Sequence, residues 1–473
     1  MRAIRVDPGR LRLVGWGLGG LAAGAAAGIC AVFVASAVAA GRSAATDEDA
    51  ARIVDAGHLP PLLRLPGERV TLRFNVFCPA PGDDPFDGTP CDAGGDVFVR
   101  ARRSGPFRQL PLRETDDVAH GRYVVDVPAD LAASPEGFSY YAVLRNQATG
   151  ASITVPSGGA AAPQLSLPLE HAVEVELGTH AFGSTRRADA RVASAIWGTA
   201  PGEVGLLYGP SFGPIGPSAF DVAPNGEVTI LDQANGRTER WRAGRVAAAV
   251  PVDVTGGIAD MAVEADGSID VLEPTGSGSA ATPELRSFDP AGQLLSKTAI
   301  EDRTWSQLRR GADGLEVQQE PSEQWMPVRR GQAWLARAAQ ARAGHPGRTL
   351  ASGRELVVFR TGVSEARVAE VAAGHVVRSW RITSAPPLGE IQLAEPFGNR
   401  VVLVVRPYTE TQDEFLVLVL GDRGLERSFS VDSADWAETA PLARFRLAGS
   451  SLYQLGSTPS GMHVDRFDLE VNR

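Results

Sequence analysis

A short strand–turn–strand pattern that repeats along the second half of the chain constrains the fold more than any other feature of the sequence. Its best copy spans residues 216–241, where three strand-like pieces are separated by turns that contain Pro-Asn-Gly and Ala-Asn-Gly. Asn-Gly between alternating apolar residues is a strong hairpin signal. A meander of three strands cannot bury both of its faces alone, so we expect further copies beside it.

Further copies follow at a regular spacing. Each has a glycine in the turn after its first strand, and successive marker glycines lie 41, 47, 39, 45 and 51 residues apart: Gly226, Gly267, Gly314, Gly353, Gly398 and Gly449. A more apolar second strand, a loop and a third strand follow each marker, and several copies add a fourth strand. Units of about 40–50 residues with up to four strands predict a six-bladed β-propeller over residues 205–473.

Two units depart from this pattern. The last one ends after its third strand, so a strand from around the connector at residues 169–204 must complete it and cover its edge. The candidate closing strands are residues 173–177, 191–197 and 204–208. In the third unit, residues 325–342 predict a helical turn or an irregular blade edge.

The opening unit resembles the NHL repeat, in which Gly-Pro precedes an apolar strand, a turn, a second strand that ends in Asp, and an Asn-x-Arg hairpin. The matching residues are Gly216, Pro217, Pro224, Asn225, Gly226, Asp232, Asn235 and Arg237. The resemblance implies that Asp232, Asn235 and Arg237 brace the hairpin within one blade. It is good for residues 216–241, fair to about residue 300, and rests on periodicity beyond that.

The N-terminal part of the chain predicts export. Residues 1–12 are basic, and residues 13–40 contain no charged side chain, a run longer than the roughly 20 residues that a membrane helix needs. The excess of arginine before this segment predicts a cytoplasmic N-terminus and an extracytoplasmic body. We predict a membrane anchor followed by a linker at residues 41–62. A cleaved signal peptide, and therefore a secreted protein, is the alternative.

Residues 63–168 alternate between apolar and polar side chains in several short segments, which predicts a β-sandwich. Residues 121–156 resemble the second half of an immunoglobulin-like or fibronectin-type domain, in which a strand ending in Pro leads to a strand with Tyr-Tyr and a Gly-tipped hairpin. The resemblance implies this fold and no particular ligand. The predicted fold class is all-β: an immunoglobulin-like β-sandwich followed by a six-bladed β-propeller, with an N-terminal transmembrane helix.

Cys78 and Cys91 flank a short loop in the predicted sandwich. In an oxidising compartment two cysteines this close in sequence are expected to form a disulfide. The same region is rich in aspartate, and the spacing of these residues fits no standard calcium loop. We predict a solvated acidic loop, with a calcium site as the alternative. The aspartates are Asp83, Asp84, Asp87, Asp92 and Asp96.

The exported body is acidic. The net charge of the chain is −10, with +4 in residues 1–42 and −14 in the remainder. This charge argues against nucleic acid as a partner. The expected partners are the membrane, through residues 13–40, and an envelope protein or a glycan.

No sequence motif identifies a catalytic centre. The seven histidines show no paired spacing typical of a metal site, and the nucleophile elbow, the His-Glu-x-x-His motif and the phosphate-binding loop are absent. Similar propellers include streptogramin lyases and gluconolactonase-type hydrolases, which place metal-binding side chains near the central channel. That likeness implies a divalent metal such as calcium; otherwise we expect no cofactor.

The loops after each second strand share one end of the predicted propeller, which we call the top face. They contain the candidate ligand-binding residues Asp232, Glu273, Arg360, Arg406, Tyr408 and Asp413. Polar loops that serve only solubility would look the same. We predict a non-enzymatic binding or scaffold module that acts through the top face of a bacterial surface protein. A metal-dependent hydrolase or lyase is the alternative, and the sandwich could serve only as a spacer.

Overall fold

The computed structural model describes residues 53, 55–79, 88–115, 121–209, 212–254, 257–273, 284–299, 305–311, 314–319, 324–328, 347–437 and 443–470. The predicted cytoplasmic segment, the membrane segment at residues 13–40 and much of the linker lie outside these ranges. Among the described residues, no helix has the length and apolar character needed to span a membrane.

The first part of the chain forms two sheets. The first is ordered β1-β3-β8-β7, with β4 on β3, and the second β2-β11-β9-β5-β6, with β10 on β9. The strands are β1 Asp55–Gly57, β2 Leu63–Arg64, β3 Thr71–Pro79, β4 Gly88–Pro90, β5 Ala93–Ala101, β6 Arg108–Pro111, β7 Arg113–Glu114, β8 Arg122–Asp126, β9 Phe138–Asn146, β10 Ser152–Val155 and β11 Gln164–Pro168. A short helix, α1 (Ala129–Ala132), follows β8.

These two sheets share one apolar core, because alternate side chains of each strand point between them. Leu72 and Phe74 from β3 pack in one cluster with Val97 from β5 and Tyr140 from β9. A sandwich of two packed sheets therefore occupies residues 55–168.

The predicted disulfide is confirmed: Cys78 and Cys91 are bonded. It joins the end of β3 to the segment before β5. The Asn146 side-chain amide lies 3.1 Å from the Cys78 sulfur. Asp83, Asp84 and Asp87 lie outside the described residues, so the choice between an acidic loop and a calcium site stays a prediction.

The remainder of the described chain forms a series of antiparallel sheets that we call blades one to six. Their main strands are blade one, β17 Phe220–Val222, β18 Val228–Asp232, β19 Arg237–Arg242 and β20 Arg245–Pro251; blade two, β21 Asp260–Val263, β22 Ile269–Glu273, β23 Glu284–Phe288 and β24 Leu294–Ala299; blade three, β25 Trp305–Gly311, β26 Gly314–Gln319 and β27 Gln324–Val328; blade four, β28 Arg348–Thr349, β29 Glu355–Arg360, β30 Glu365–Ala372 and β31 His375–Thr383; blade five, β32 Leu388–Phe397, β33 Arg400–Pro407, β34 Glu414–Gly421 and β35 Gly424–Asp432; blade six, β36 Phe445–Ala448, β37 Ser451–Thr458 and β38 Gly461–Asp468.

The first strands of these blades form a closed cycle. β17 contacts β21, β21 contacts β25, β25 contacts β28, and β32 contacts β36, which returns to β17; blade four reaches blade five through β29. Four-stranded meanders around a ring define a β-propeller. The predicted β-propeller is therefore confirmed.

The marker glycines lie where the sequence pattern places them, between the first and second strands of the blades. All six have positive φ angles, from 59° at Gly449 to 126° at Gly314. Only glycine adopts this conformation without strain, which is why glycine recurs there.

Between the sandwich and blade one lie β12 Val173–Glu176, β13 Ala190–Trp197, β14 Glu203–Val204, β15 Leu207–Gly209 and β16 Phe212–Ile215. Of the candidate closing strands, residues 191–197 complete blade six, because β13 pairs antiparallel with β38. Residues 173–177 do not: β12 runs parallel to β31 on the outside of blade four. Val204 pairs within β14 against β13, and residues 207–208 enter a separate hairpin.

The position of β12 follows from the way in which the sandwich rests on blade four. Leu63 and Leu167 pack in one cluster with Val357 and Phe359 of that blade. Arg367 donates hydrogen bonds to the Leu63 carbonyl at 2.9 Å and to the Glu68 carboxylate at 2.7 Å. A chain that leaves the sandwich here meets β31 before it can reach blade six.

We predict that Gly461→Ala destabilises the propeller through its closing strand. Gly461 has a φ of 159°, and a Cβ there would lie 1.9 Å from the Ala195 carbonyl oxygen of β13. The backbone must therefore shift at the β13–β38 pair, and we expect a loss of about 1–3 kcal/mol in the free energy of unfolding. Urea unfolding followed by tryptophan fluorescence measures it.

The matched control is Gly362→Ala, since a Cβ at this exposed turn meets no atom within 4 Å. We expect its free energy of unfolding to stay within about 0.5 kcal/mol of that of the parent. Equal midpoints for Gly461→Ala and Gly362→Ala would show that the closing pair tolerates the shift.

Candidate functional site

Asp232, at the end of β18, is the centre of a hydrogen-bonded group in blade one. Its carboxylate accepts hydrogen bonds from Asn235 Nδ2 at 2.8 Å, from Arg237 Nε at 2.9 Å and from the Gly205 N–H at 2.9 Å. Arg237 also donates to the Glu203 carbonyl at 2.6 Å. The group joins the β18–β19 turn to the chain that follows the closing strand. Its partners are all internal, so these contacts favour the bracing role.

Buried negative charge exceeds positive charge at this group. Glu239 on β19 is fully buried and lies 3.2 Å from Arg237, which it shares with Asp232. Burial raises the pKa of the Asp232 carboxyl, although the Asn235 and Gly205 hydrogen bonds and Arg237 oppose this shift. Burial also raises the pKa of the Glu239 carboxyl. The neutral, protonated forms of both carboxyl groups are therefore more favoured in the folded protein than they are in water.

Glu273, at the end of β22, holds the equivalent place in blade two. It is buried and lies 3.1 Å from Arg286, which also pairs with Glu284 at 2.8 Å. Blade four repeats the arrangement with Glu365 and Arg367, 2.6 Å apart. The third strands of blades two and four thus begin with a glutamate and an arginine two residues apart. The ion pairs that these residues form link neighbouring strands rather than face solvent.

Four other predicted residues gather on the top face between blades four and five. Arg360 donates to the Leu388 carbonyl at 2.9 Å, at the start of the next blade. Arg406 Nε lies 2.6 Å from Asp413 Oδ2 across the loop that contains Tyr408, and the Tyr408 N–H donates to the Pro387 carbonyl at 3.1 Å. The structure brings these residues together and leaves Asp232 and Glu273 apart from them.

Two tryptophans extend this group into blade six: Trp436, which the sequence places in a top-face loop, and Trp197, at the end of a candidate closing strand. Trp197, at the end of β13, and Trp436 have ring centroids 6.0 Å apart. Trp197 Nε1 donates to the Thr458 carbonyl at 3.0 Å, and the Trp436 ring is 37% exposed. Ser433 Oγ donates to the Asp413 carbonyl at 2.8 Å, which joins the two loops. We call this surface the blade five–six rim: Arg406, Tyr408, Asp413, Trp436 and Trp197.

A buried ion pair supports the rim from below. Arg444 Nη2 lies 2.8 Å from Asp435 Oδ2, and both side chains are about 10% exposed. Burial raises the pKa of the Asp435 carboxyl and lowers that of Arg444. Asp435 also borders a small cleft with Gly216, Ser457 and Met462. The loop that carries Trp436 is therefore held from inside the protein.

A ring of charged side chains occupies the propeller axis, one from the first strand of each blade. Its members are Asp221, Asp260, Arg309, Arg348, Glu395 and Arg446. The charges of Arg309 and Arg446 lower the pKa of Arg348, and that of Asp221 raises it. Blades one and four face each other across the ring, so these side chains must converge near its centre.

Two arginines of this axial ring, Arg309 and Arg348, have shifted pKa values. Burial and the nearby Arg446 charge lower the pKa of Arg309 to about 10. Burial and the charges of Arg309 and Arg446 lower that of Arg348 to about 9. The Arg348 side chain is nevertheless 21% exposed, so solvent reaches it. Burial is the larger cause of both shifts, because it disfavours the charged form, and the neighbouring arginine charge adds to it.

The sequence analysis missed the axial ring, although a signal was present. Each member precedes the marker glycine of its unit by three, five or seven positions. An odd offset keeps the side chain on one face of the strand in every blade.

Among the described residues, no group of three or more His, Cys, Asp or Glu side chains is placed to hold a metal ion. The axial carboxylates are instead engaged by arginine and by backbone N–H groups. Asp260 accepts hydrogen bonds from Arg446 at 3.1 Å and from the Leu308 N–H at 2.9 Å. The candidate divalent metal stays a prediction.

No protein-family model and no curated sequence matches the chain. Solved structures with some similarity include virginiamycin B lyase from Staphylococcus aureus (8% identity, TM-score 0.29, 53% of this chain and 94% of that one). A PQQ-bound aldose sugar dehydrogenase from Streptomyces coelicolor gives 11% identity, a TM-score of 0.36 and coverage of 60% and 97%. Apo AztD from Citrobacter koseri gives 12%, 0.26, 80% and 92%. At these values the similarity carries no argument about function.

We predict that Asp232→Asn changes the pH dependence of stability. The folded chain holds the Asp232 proton more tightly than the unfolded chain, where the ordinary pKa is 3.8. This stabilising contribution is complete below pH 3.8 and is lost as the pH rises through the raised pKa. Asn cannot titrate, so the stability advantage of the parent over Asp232→Asn should narrow from pH 4 towards pH 7. Urea midpoints across this range measure the effect.

Asp126→Asn is a control of opposite sign. Hydrogen bonds from Thr71 and Arg113 hold the pKa of Asp126 at about 2, so its contribution is lost only as the pH falls through that value. Above about pH 5 its difference from the parent should be flat. A gap for Asp232→Asn that widens with pH would contradict the predicted shift.

Proposed function

We propose that this chain is an exported, membrane-anchored bacterial surface protein that binds an envelope protein or glycan through the propeller top face, without catalysis. The observation that carries the proposal is the blade five–six rim. It combines two adjacent tryptophans with an arginine, a tyrosine and an aspartate on one exposed surface.

The composition of the rim is typical of recognition surfaces. Trp, Tyr and Arg are the residues that most often dominate the binding energy of protein interfaces. Trp197 and Trp436 come from segments more than 200 residues apart; a hydrogen bond holds the Trp197 ring, and the Trp436 backbone N–H donates to Ser457 Oγ. A surface that is ordered before binding loses little conformational entropy when a partner docks.

The internal contacts of the other candidates support a binding role over a metal-dependent hydrolase or lyase. Such an enzyme needs carboxylates with free oxygen atoms that face a metal. Asp232 and Glu273 pair instead with Arg237 and Arg286, both within their own blades. Arg446 occupies the axis, where it pairs with Asp260.

We also propose that the sandwich and blade one belong to the two fold classes that they resemble, and that residues 13–40 anchor the chain in a membrane. We assign the sandwich to the immunoglobulin-like class on its two packed sheets, and blade one to the NHL type on the Asp232–Asn235–Arg237 contacts. The uncharged run at residues 13–40 supports the membrane anchor. In this arrangement the sandwich, which contacts blade four, also spaces the propeller from the membrane.

We predict that Trp436→Ala weakens partner binding at least tenfold. Removing a central aromatic side chain from an interface typically costs about 2 kcal/mol or more, which is roughly 30-fold in affinity. The full chain in detergent is titrated separately with fractionated envelope proteins and with envelope polysaccharides, and tryptophan fluorescence and co-sedimentation report binding.

Leu295→Ala is the control, because Leu295 is 57% exposed on the outer strand of blade two, away from the rim. Its affinity should equal that of the parent. Saturable binding in one fraction, lost only in Trp436→Ala, supports the proposal and identifies the class of partner. Equal binding by both variants, or chemical turnover of the bound material by the parent, contradicts it.

A further inference from the structure

Two carboxylates of the axial ring, those of Asp221 and Asp260, accept hydrogen bonds with both of their oxygens. Both oxygens of Asp221 accept backbone hydrogen bonds, from Val222 N–H and from Val263 N–H, each at 2.8 Å. Asp260 accepts from Met261 N–H at 2.9 Å as well as from Leu308 N–H and Arg446. These backbone hydrogen bonds from the first strands therefore stabilise the negative charges of Asp221 and Asp260.

Arg446 spans from blade six to blades one and two and retains an unused donor. Its Nε donates to the Phe220 carbonyl at 3.0 Å, and its Nη2 bonds Asp260 at 3.1 Å. Its Nη1 is buried without a hydrogen-bond partner among the described residues, and the whole side chain is only 9% exposed. Leaving such a charged donor unsatisfied costs more than the mean worth of a hydrogen bond.

Arg348 and Arg309 add further donors around the same centre. Arg348 forms an ion pair with Glu395 of the next blade, and its Nε has no partner among the described residues. Arg309 lies 3.4 Å from Gln307 Oε1, and no described carboxylate lies within ion-pair distance of it. Each guanidinium carries five N–H donors, so the ring has more donors than its carboxylates and carbonyls occupy.

One more acid faces this group. Glu316 on β26 is buried, and its Oε2 accepts a 3.4 Å hydrogen bond from the Thr349 N–H, beside Arg348. One oxygen of Glu316 therefore accepts a backbone hydrogen bond, as the oxygens of Asp221 and Asp260 also do. The unused groups that face the axis are donors of Arg309, Arg348 and Arg446.

We propose that Arg309, Arg348 and Arg446 form a binding site for a small oxyanion, a carboxylate or a phosphate group, at the axis of the propeller. Planar guanidinium groups match the two oxygens of such groups with paired hydrogen bonds, which a spherical halide cannot accept in the same way. The Arg348 side chain is 21% exposed, so a small anion can reach this group from solvent. This site is separate from the blade five–six rim and does not depend on what binds there.

Thermal unfolding of the full chain tests the site without a variant. Inorganic phosphate and succinate are compared in separate arms, each against chloride at equal ionic strength. A ligand that binds only the folded chain raises the melting temperature as its concentration exceeds its Kd. A concentration-dependent rise with phosphate alone, succinate alone or both supports the site and identifies the anion. No rise in either arm relative to chloride overturns the proposal.

Isothermal titration calorimetry with the effective anion then locates the site. Arg309→Gln should weaken binding at least tenfold, and Arg309→Lys should also bind more weakly than the parent, because an ammonium cannot form the paired hydrogen bonds. Arg242→Gln is the matched control, since the Arg242 side chain is 67% exposed on blade one. Binding by Arg309→Gln as tight as that of the parent and of Arg242→Gln would also overturn the proposal.

Discussion

The pairing of β13 with β38 is the interaction on which the rest of the structure depends. It joins residues 190–196 to residues 461–466 and converts an open row of sheets into a ring. Without it, blade six would expose an edge strand. The contact between the first strands of blades one and six would also be lost. The ring in turn creates the axis and holds Trp197 beside Trp436. Both proposed binding surfaces therefore exist only in the closed propeller.

Closure over so long a sequence separation also explains which parts of the fold could be predicted. The marker glycines follow from local rules, since each turn needs a positive φ angle that glycine adopts freely. The choice among the three closing strands is not local. Residues 173–177 alternate apolar and polar side chains and residues 191–197 are mostly apolar, so both are typical of strands. Only the contact of the sandwich with blade four places the first of them on β31.

The candidate site shows the same division. Asp232 and Glu273 were chosen because they end second strands at the top face, yet each pairs with an arginine on the adjacent third strand of its own blade. The position of a residue in the sequence predicts which end of a blade it occupies. It does not predict whether a side chain on a neighbouring strand forms an ion pair with it. Arg367 is the sharpest case, because the pair that it forms with Glu365 in blade four also binds Glu68 of the sandwich. Nothing near Glu68 in the sequence indicates that partner.

The chemistry of the axis argues for recognition rather than stability. Apolar side chains would fill the centre of a propeller without the desolvation cost of six ionisable groups, and buried ion pairs rarely exceed apolar packing in stability. Here burial and the neighbouring Arg446 charge lower the pKa of Arg309 and Arg348, while Arg446 itself leaves a buried donor unsatisfied among the described residues. β36 and the residue before it carry both Arg446 of the axis and Arg444, which supports the rim through Asp435.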